Sequence, residues 1–444
     1  MLSILADRTY RHLFVAQVVA LIGTGLATVA LGLLSYDLAG ANAGAVLGGA
    51  LAIKMIAYIG VGPIVNAFVD RLPRRAFLVS MDLVRACVAM LLPFVSQVWQ
   101  IYLLIFVLQS ASAAFTPTFQ ATIPDILPEE ERYTRALSLS RLAYDMESLV
   151  SPMLAAALLG VIGFHWLFGG TALGFLASAA LVVSVAVPQP KPVIRDGGVY
   201  TRTTRGMRIY LKTPRLRGLL ALNLAAAAAG AMVIVNTVVY VRTFLGRSEN
   251  DVAVALAAFG GGSMITALML PKVLERVDDR KVMVTASCLL AVVLLAMATL
   301  TKSPGVDHWS TLLGGWAIMG VGYSAVLTPS GRLLRRSATP EDRSAVFAAQ
   351  FALSHACWLA TYMISGSVGA TVGLVWTFVL LSGVCTLGIV AAWKMWPAND
   401  PDVLPHTHPE LPSDHPHVVQ DGRRQHKHAF VIDDLHAHWP KAGV

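Results

Sequence analysis

The chain predicts an all-α membrane protein of twelve transmembrane helices in two pseudo-symmetric six-helix halves, with both termini cytoplasmic. Three observations predict it. The 444 residues are 56% hydrophobic and only 14% charged, with a mean hydropathy of +0.63, whereas soluble domains carry about 25% charged residues. The apolar residues fall into runs of roughly 20 or more, the length a helix needs to cross a bilayer. The positive charge gathers in alternate loops, as the positive-inside rule requires of cytoplasmic ones.

Taken in order, the predicted helices are 13–37, 43–69, 76–96, 99–122, 131–160 and 164–187 in the first half. The second half holds 216–243, 250–274, 281–300, 310–331, 342–369 and 372–396. The first run is too long for a signal-peptide core of about 7–15 residues, so it is read as a retained helix. Arg71, Arg74 and Arg75 follow the second helix, and Arg276, Arg280 and Lys281 follow the eighth. The domain division is 1–187, a basic cytoplasmic linker at 188–215, 216–396, and a flexible histidine-rich cytoplasmic tail at 397–444. The linker carries Lys191, Arg195, Arg202, Arg205, Arg208, Lys212 and Arg215 against Asp196.

The halves share local patterns. Thr116-Pro117 precedes Pro128-Glu129-Glu130 as Thr328-Pro329 precedes Pro340-Glu341-Asp342, and Asp70-Arg71 corresponds to Asp279-Arg280. Parallel repeats of six helices are a signature of secondary transporters. The chain has no Gly-Lys pair, which excludes a Walker A loop. The net charge of +8 sits in loops between apolar runs, so it is assigned to membrane topology and not to nucleic acid. Cys87, Cys288, Cys357 and Cys385 lie in apolar runs without a CxxC pair, so each reads as a small buried hydrophobe.

Ionisable residues are costly inside a bilayer and are functional candidates by default. The predicted fifth helix holds Arg141, Asp145 and Glu147. Asp145 lies four residues after Arg141, a spacing that permits an ion pair; Glu147 points elsewhere round the helix and is the better cavity carboxylate. His355, at similar depth in the eleventh helix, is a candidate ligand or proton carrier, with packing histidine or partner of Lys54 as alternatives. Asn236 is a weaker candidate, with interhelical hydrogen bonding as its other reading.

Eight of the twelve histidines lie in the tail as four His-x-His pairs: His406 and His408, His415 and His417, His426 and His428, His436 and His438. Residues i and i+2 of an extended chain project to one side, and neutral imidazole ligates nickel, cobalt, copper and zinc. Spacing alone therefore reads as divalent transition-metal binding, with an appended tag or an ordinary polar tail as alternatives.

Residues 66–75, Asn-Ala-Phe-Val-Asp-Arg-Leu-Pro-Arg-Arg, resemble the loop motif Gly-x-x-x-Asp-Arg-x-Gly-Arg-Arg of the major facilitator superfamily. Asp70, Arg71, Arg74 and Arg75 match it, while Asn66 and Pro73 replace the glycines. The resemblance, over residues 1–396, implies the rocker-switch fold, no enzymatic activity, and a gating role for these four residues. The tail segment 428–440 and the run 140–152 also look like the Nre-type nickel-resistance exporters of that superfamily. That resemblance implies secondary-active export of nickel, and of cobalt as a second cargo, across a bacterial inner membrane in exchange for protons. On this reading the partners are the lipid bilayer, the transported ion and protons, with no bound cofactor. The alternative is an exporter of siderophores or drugs with an accessory metal-binding tail.

Overall fold

The computed structural model describes residues 2–39, 43–69, 72–189, 199–401, 403–407 and 425–440. The first half contains α1 (Arg8–Ala39), α2 (Ala43–Ile56), α3 (Gly62–Val69), α4 (Arg74–Leu91), α5 (Val98–Ile126), α6 (Glu130–Leu159) and α7 (His165–Val183). A wide π turn, Ala57–Val61, joins α2 to α3 in one kinked rod. A short helix in the linker, α8 (Val199–Lys212), leads to α9 (Pro214–Val238), α10 (Glu249–Leu274), α11 (Asp279–Leu300), α12 (His308–Leu327), α13 (Ser330–Arg336), α14 (Arg343–Thr371) and α15 (Leu374–Met395). Proline opens α9, where its missing N–H costs nothing. Asp307 caps α12, accepting from the N–H groups of Trp309 and Ser310 at 3.1 and 3.4 Å. Hydrogen bonds from Ser310 and these N–H groups hold its carboxyl below the usual range.

Among the described residues, ten helical rods are long and apolar enough to cross a membrane. The expected fifth and eleventh spans, α6 and α14, have the length, 30 and 29 residues, but are not among the ten. Helices too polar to face lipid belong in the interior of a bundle.

The packing repeats. In the first half α1 packs on α7 and α6, α4 on α7 and α5, and α2 on α5. In the second, α9 packs on α15 and α14, α11 on α15 and α12, and α10 on α12. The halves meet the same way twice, through α6 against α10 and through α3 with its π turn against α14. Glycine makes the tightest of these seams: side chains at Gly262 of α10 and Gly320 of α12 would run into the Ala317 and Phe259 carbonyls of the facing helix.

Two regions hold structure beyond the spans. The linker includes the helix α8, whose Ile209 and Tyr210 are buried in the core of the second half. Its Tyr210 hydroxyl donates to Gln350. Val403–Thr407 (β1) pairs antiparallel with Gln425–Ala429 (β2), and Phe430 and Ile432 beyond it are each only 3% exposed in that same core. Apolar residues placed after a polar stretch give the chain end something to bury, and burial sets its position.

Candidate functional site

At mid-bundle the halves face each other across polar and aromatic side chains. The π turn presents Tyr58, whose hydroxyl donates to Gln109 of α5 at 2.9 Å. Tyr58 stands edge-on to His355 of α14 with centroids 4.7 Å apart, and lies 4.8 Å from Phe351. The His355 Nδ1 is 2.7 Å from the Phe351 carbonyl. A carbonyl only accepts, so Nδ1 carries the hydrogen and the ring lone pair is on Nε2.

Lys54 lies 5.5 Å from the Tyr58 ring centroid, and its charge acts on both Glu147 and His355. Glu147 sits on the α1 side of α6, its Cγ 3.6 Å from where a side chain at Gly25 would begin. Tyr144, one turn from it, lies beside Gln17 and Gln120. From the other half, Tyr323 and Trp358 have centroids 6.0 Å apart, and Trp358 and Tyr362 5.2 Å.

Asp145 is held elsewhere. Arg141 pairs with it and the Ser263 hydroxyl of α10 donates to it at 2.6 Å, while the Arg141 guanidinium covers Tyr323 at 4.7 Å. Asp145 thus belongs to the α6–α10 seam, and the structure does not group it with His355. Asn236 is 2% exposed and donates to Ser365 Oγ at 2.7 Å, inside the second half.

A second cluster closes the bundle at the end bearing α8. Asp125 of α5 accepts from Arg74 at 2.6 Å and also from Arg343 of the other half. Arg74 donates further to Ser344 at 3.3 Å. Arg332 of α13 pairs with Glu130 across the halves and with Asp279 of its own half at 3.1 Å, and Arg335 donates to the Pro128 carbonyl. Of the motif arginines, Arg74 is in this lock and Arg75 is exposed on α4; Asp70 and Arg71 lie outside the described residues. Charge patterning marked the basic loop but not Asp125 or Arg332. A carboxylate three residues before Pro128, at the end of an apolar run, is the signal that would have found Asp125.

The tail histidines divide. His408, His415 and His417 lie outside the described residues, and of His406 and His426 only the backbone is described. His428 and His436 converge, their ring centroids 5.1 Å apart. His436 is 5% exposed and its Nδ1 is 2.7 Å from Asp433, while His438 is exposed. Burial pushes the Asp433 carboxyl up, but the His436 ring and the N–H groups of His436 and Leu435 outweigh it and hold it below the usual range. Among the described residues no three His, Cys, Asp or Glu side chains form a group that could hold a metal ion.

The Major Facilitator Superfamily profile matches residues 13–244 and again 219–427, so it fits both halves separately. The chain belongs to the major facilitator superfamily. It is a multi-pass membrane transporter and not an enzyme. Macrolide efflux protein A of Enterococcus faecalis is 22% identical over 316 residues, 68% of this chain and 95% of that protein. The MFS-type transporter YfiS of Bacillus subtilis is 23% identical over 299 residues, 64% of this chain and 69% of its own. In fold, a bacterial homologue of the iron transporter ferroportin, in an outward-facing state, superposes with a TM-score of 0.74 at 14% identity, covering 87% of this chain and 99% of that one. The human organic anion transporter MFSD10 gives 0.71 at 13% identity, with 87% and 99% covered.

Proposed function

We propose that this major facilitator transporter exports nickel, with cobalt as a second cargo, from the cytoplasm across a bacterial inner membrane in exchange for protons. The observation that carries the reading is the convergence of His428 and His436 at the end of the bundle bearing the basic linker helix. The positive-inside rule makes that end, and both termini, cytoplasmic. Imidazoles there meet the ion before it enters the bundle. Inside, His355, Glu147 and Lys54 share one electrostatic neighbourhood at mid-bundle.

Energetics favour exchange. Expelling a doubly charged ion against an inside-negative potential costs roughly 4.6 kcal/mol per 100 mV, at about 2.3 per charge. Two returning protons cancel that electrical work and leave the pH gradient as the drive. Imidazole binds a metal only when neutral, so proton and ion compete for one nitrogen. Asp70, Arg71, Arg74 and Arg75 act in gating on this reading, with Arg74 closing the cytoplasmic end. Everted vesicles with an acid interior should accumulate nickel when they carry this protein. Uptake no greater than in vesicles lacking it would overturn the reading.

The aromatic lining favours a second reading, export of organic compounds. Tyr58, Phe351, Tyr323, Trp358 and Tyr362 offer flat apolar faces of the kind that hold drug-sized ligands, and relatives are macrolide efflux proteins. Cells carrying the chain without residues 401–444 discriminate between the two. Macrolide tolerance that survives this deletion, with nickel tolerance unaffected by the whole protein, would favour the organic cargo.

A further inference from the structure

We propose that Arg141, Asp145 and Ser263 form a fulcrum about which the two halves turn, a contact kept while the ends of the bundle part and close. The proposal goes beyond the export reading and holds whichever cargo the cavity takes. Three observations carry it.

The first is a closed ring of hydrogen bonds across the α6–α10 seam. Arg141 pairs with Asp145 within α6. Its Nε donates to the Ser263 hydroxyl of α10 at 3.3 Å, and that hydroxyl donates to Asp145 at 2.6 Å. The hydroxyl is acceptor and donor at once, set between a cation and an anion of the other half. Ser263 is 0% exposed and Asp145 3%. Inside a bundle such a ring is stable only whole, because opening it leaves polar groups buried without partners. A contact of this kind suits a place that stays closed through the cycle.

The second is depth. Asp145 lies 15 residues from Glu130 and 14 from Leu159, the ends of α6. Ser263 lies 14 residues from Glu249 and 11 from Leu274, the ends of α10. At about 1.5 Å per residue, each end is roughly 20 Å away. A relative tilt of about 15° moves such ends by roughly 5 Å and leaves the middle in place. The other seam is also joined at mid-bundle, where the Tyr58 ring centroid lies 4.7 Å from that of His355 and 4.8 Å from that of Phe351. Two contacts at mid-depth, one on each seam, define one axis. The Asp125 and Arg332 pairs, by contrast, join the halves at the end bearing α8 and must part for that end to open.

The third is the seat of Ser263. A side chain at its neighbour Gly262 would run into the Ala317 carbonyl of α12, and one at Gly320 would come 2.9 Å from the Ser263 nitrogen. Backbone therefore rests on backbone at this point. Arg141 covers Tyr323 of α12 at 4.7 Å, and the Tyr323 ring lies 5.3 Å from that of Phe259 of α10. The ring of hydrogen bonds thus bears on two second-half helices packed too closely to slide past each other. Ser263 is a positioning residue.

The test uses the purified full-length chain in lipid nanodiscs, without its native cysteines. Spin labels at exposed positions 161 and 250, just after α6 and at the start of α10, read the gap between the halves at the end away from α8. Labels at 250 and 302 read the second half alone. Maleimide labelling of a cysteine at position 134, beside Arg332, reads opening at the end bearing α8. A contact made equally in both access states shifts the balance of neither. Ser263→Ala should therefore keep the labelling rate within about threefold of the parent, while the 161–250 distance distribution widens about twofold. The 250–302 distribution should keep the parent's width. Arg141→Lys keeps the charge and loses the planar fork that reaches both Asp145 and Ser263, so it should act as Ser263→Ala does. Ser263→Thr keeps the hydroxyl and should restore the parent's width. A larger change in labelling in Ser263→Ala would make the ring a latch of one state and overturn the proposal. An unchanged 161–250 distribution, or equal widening of both label pairs, would overturn it too.

Discussion

Arg343, the first residue of α14, reaches across from the second half to Asp125, the next-to-last residue of α5 in the first. Arg74 takes the other oxygen of the same carboxylate. One side chain therefore joins a motif arginine to the opposite half. Separating the halves at this end requires breaking this contact. Removing one partner of a buried pair costs about 3 kcal/mol at the low end of the usual range, and Asp125, at 16% exposure, belongs at that low end. Asp125→Asn should shift the ratio of open to closed states at this end by roughly a hundredfold. The check is labelling of a cysteine at position 134, in a chain lacking its native cysteines, by an impermeant maleimide applied from the side of the membrane on which α8 lies. Adding Arg343→Gln should change the rate little further. Unchanged labelling in Asp125→Asn would remove the lock from the mechanism.

The close α10–α12 seam depends on glycine at two positions. Side chains at Gly262 and Gly320 would collide with backbone carbonyls, which cannot swing aside as a flexible side chain does. Gly262→Val and Gly320→Val should each cost about 1–3 kcal/mol and lower the melting temperature of the detergent-solubilised protein by several degrees. Gly261 is the control, because a methyl there meets nothing within 4 Å. Gly261→Ala should leave the melting temperature unchanged or raise it, since alanine is the better helix former.

Legibility in the sequence followed the physics of each signal. Hydropathy and the repeated Thr-Pro and Asp-Arg pairs were enough for the two halves and for ten of the rods among the described residues, because lipid demands long apolar segments whatever they pack against; α6 and α14 fall short of that apolarity. The helix α8 was hidden by its own arginines. A short basic segment reads as a loop until Ile209 and Tyr210 are known to be buried. Arg141 and Asp145 were four residues apart and could be paired from sequence alone, but Ser263, which ties them to the other half, is 118 residues from Asp145. The aromatic lining was missed because the search followed charge. Tyr58 and Trp358 look like ordinary apolar residues until the π turn and α14 place them at mid-bundle.

His355 and Glu147 should separate ion binding from coupling. His355 offers an Nε2 lone pair beside Tyr58, so His355→Ala should reduce nickel uptake by everted vesicles at least tenfold under any gradient. Glu147→Gln keeps the shape of the side chain and loses its proton exchange. It should leave nickel counterflow intact while abolishing the response to an imposed pH gradient. Tyr58→Phe, which keeps the ring against His355 and loses only the bond to Gln109, should fall within about threefold of the parent. Loss of counterflow in Glu147→Gln would move that carboxylate from coupling to ion binding.

Arg205 joins the chain end to the base of α14. It donates to Asp342 at 2.5 and 2.9 Å and to Asp434 at 2.7 and 3.3 Å; burial alone pulls its pKa down, but the hydrogen bonds and charges of these two carboxylates together outweigh burial and raise it. The two bonds are not equal. Asp342 is 2% exposed and Asp434 68%. An exposed pair contributes about 0–1 kcal/mol, whereas disrupting a buried one costs about 3 or more. Arg205→Ala should therefore speed chymotryptic cleavage at Phe430 by tenfold or more, because it loosens α8, against which the tail is seated. Asp434→Ala should speed it by less than about fivefold, since Phe430 and Ile432 still hold the segment in the core. Equal rates in the two variants would mean that the exposed pair holds the tail and that the buried apolar residues do not.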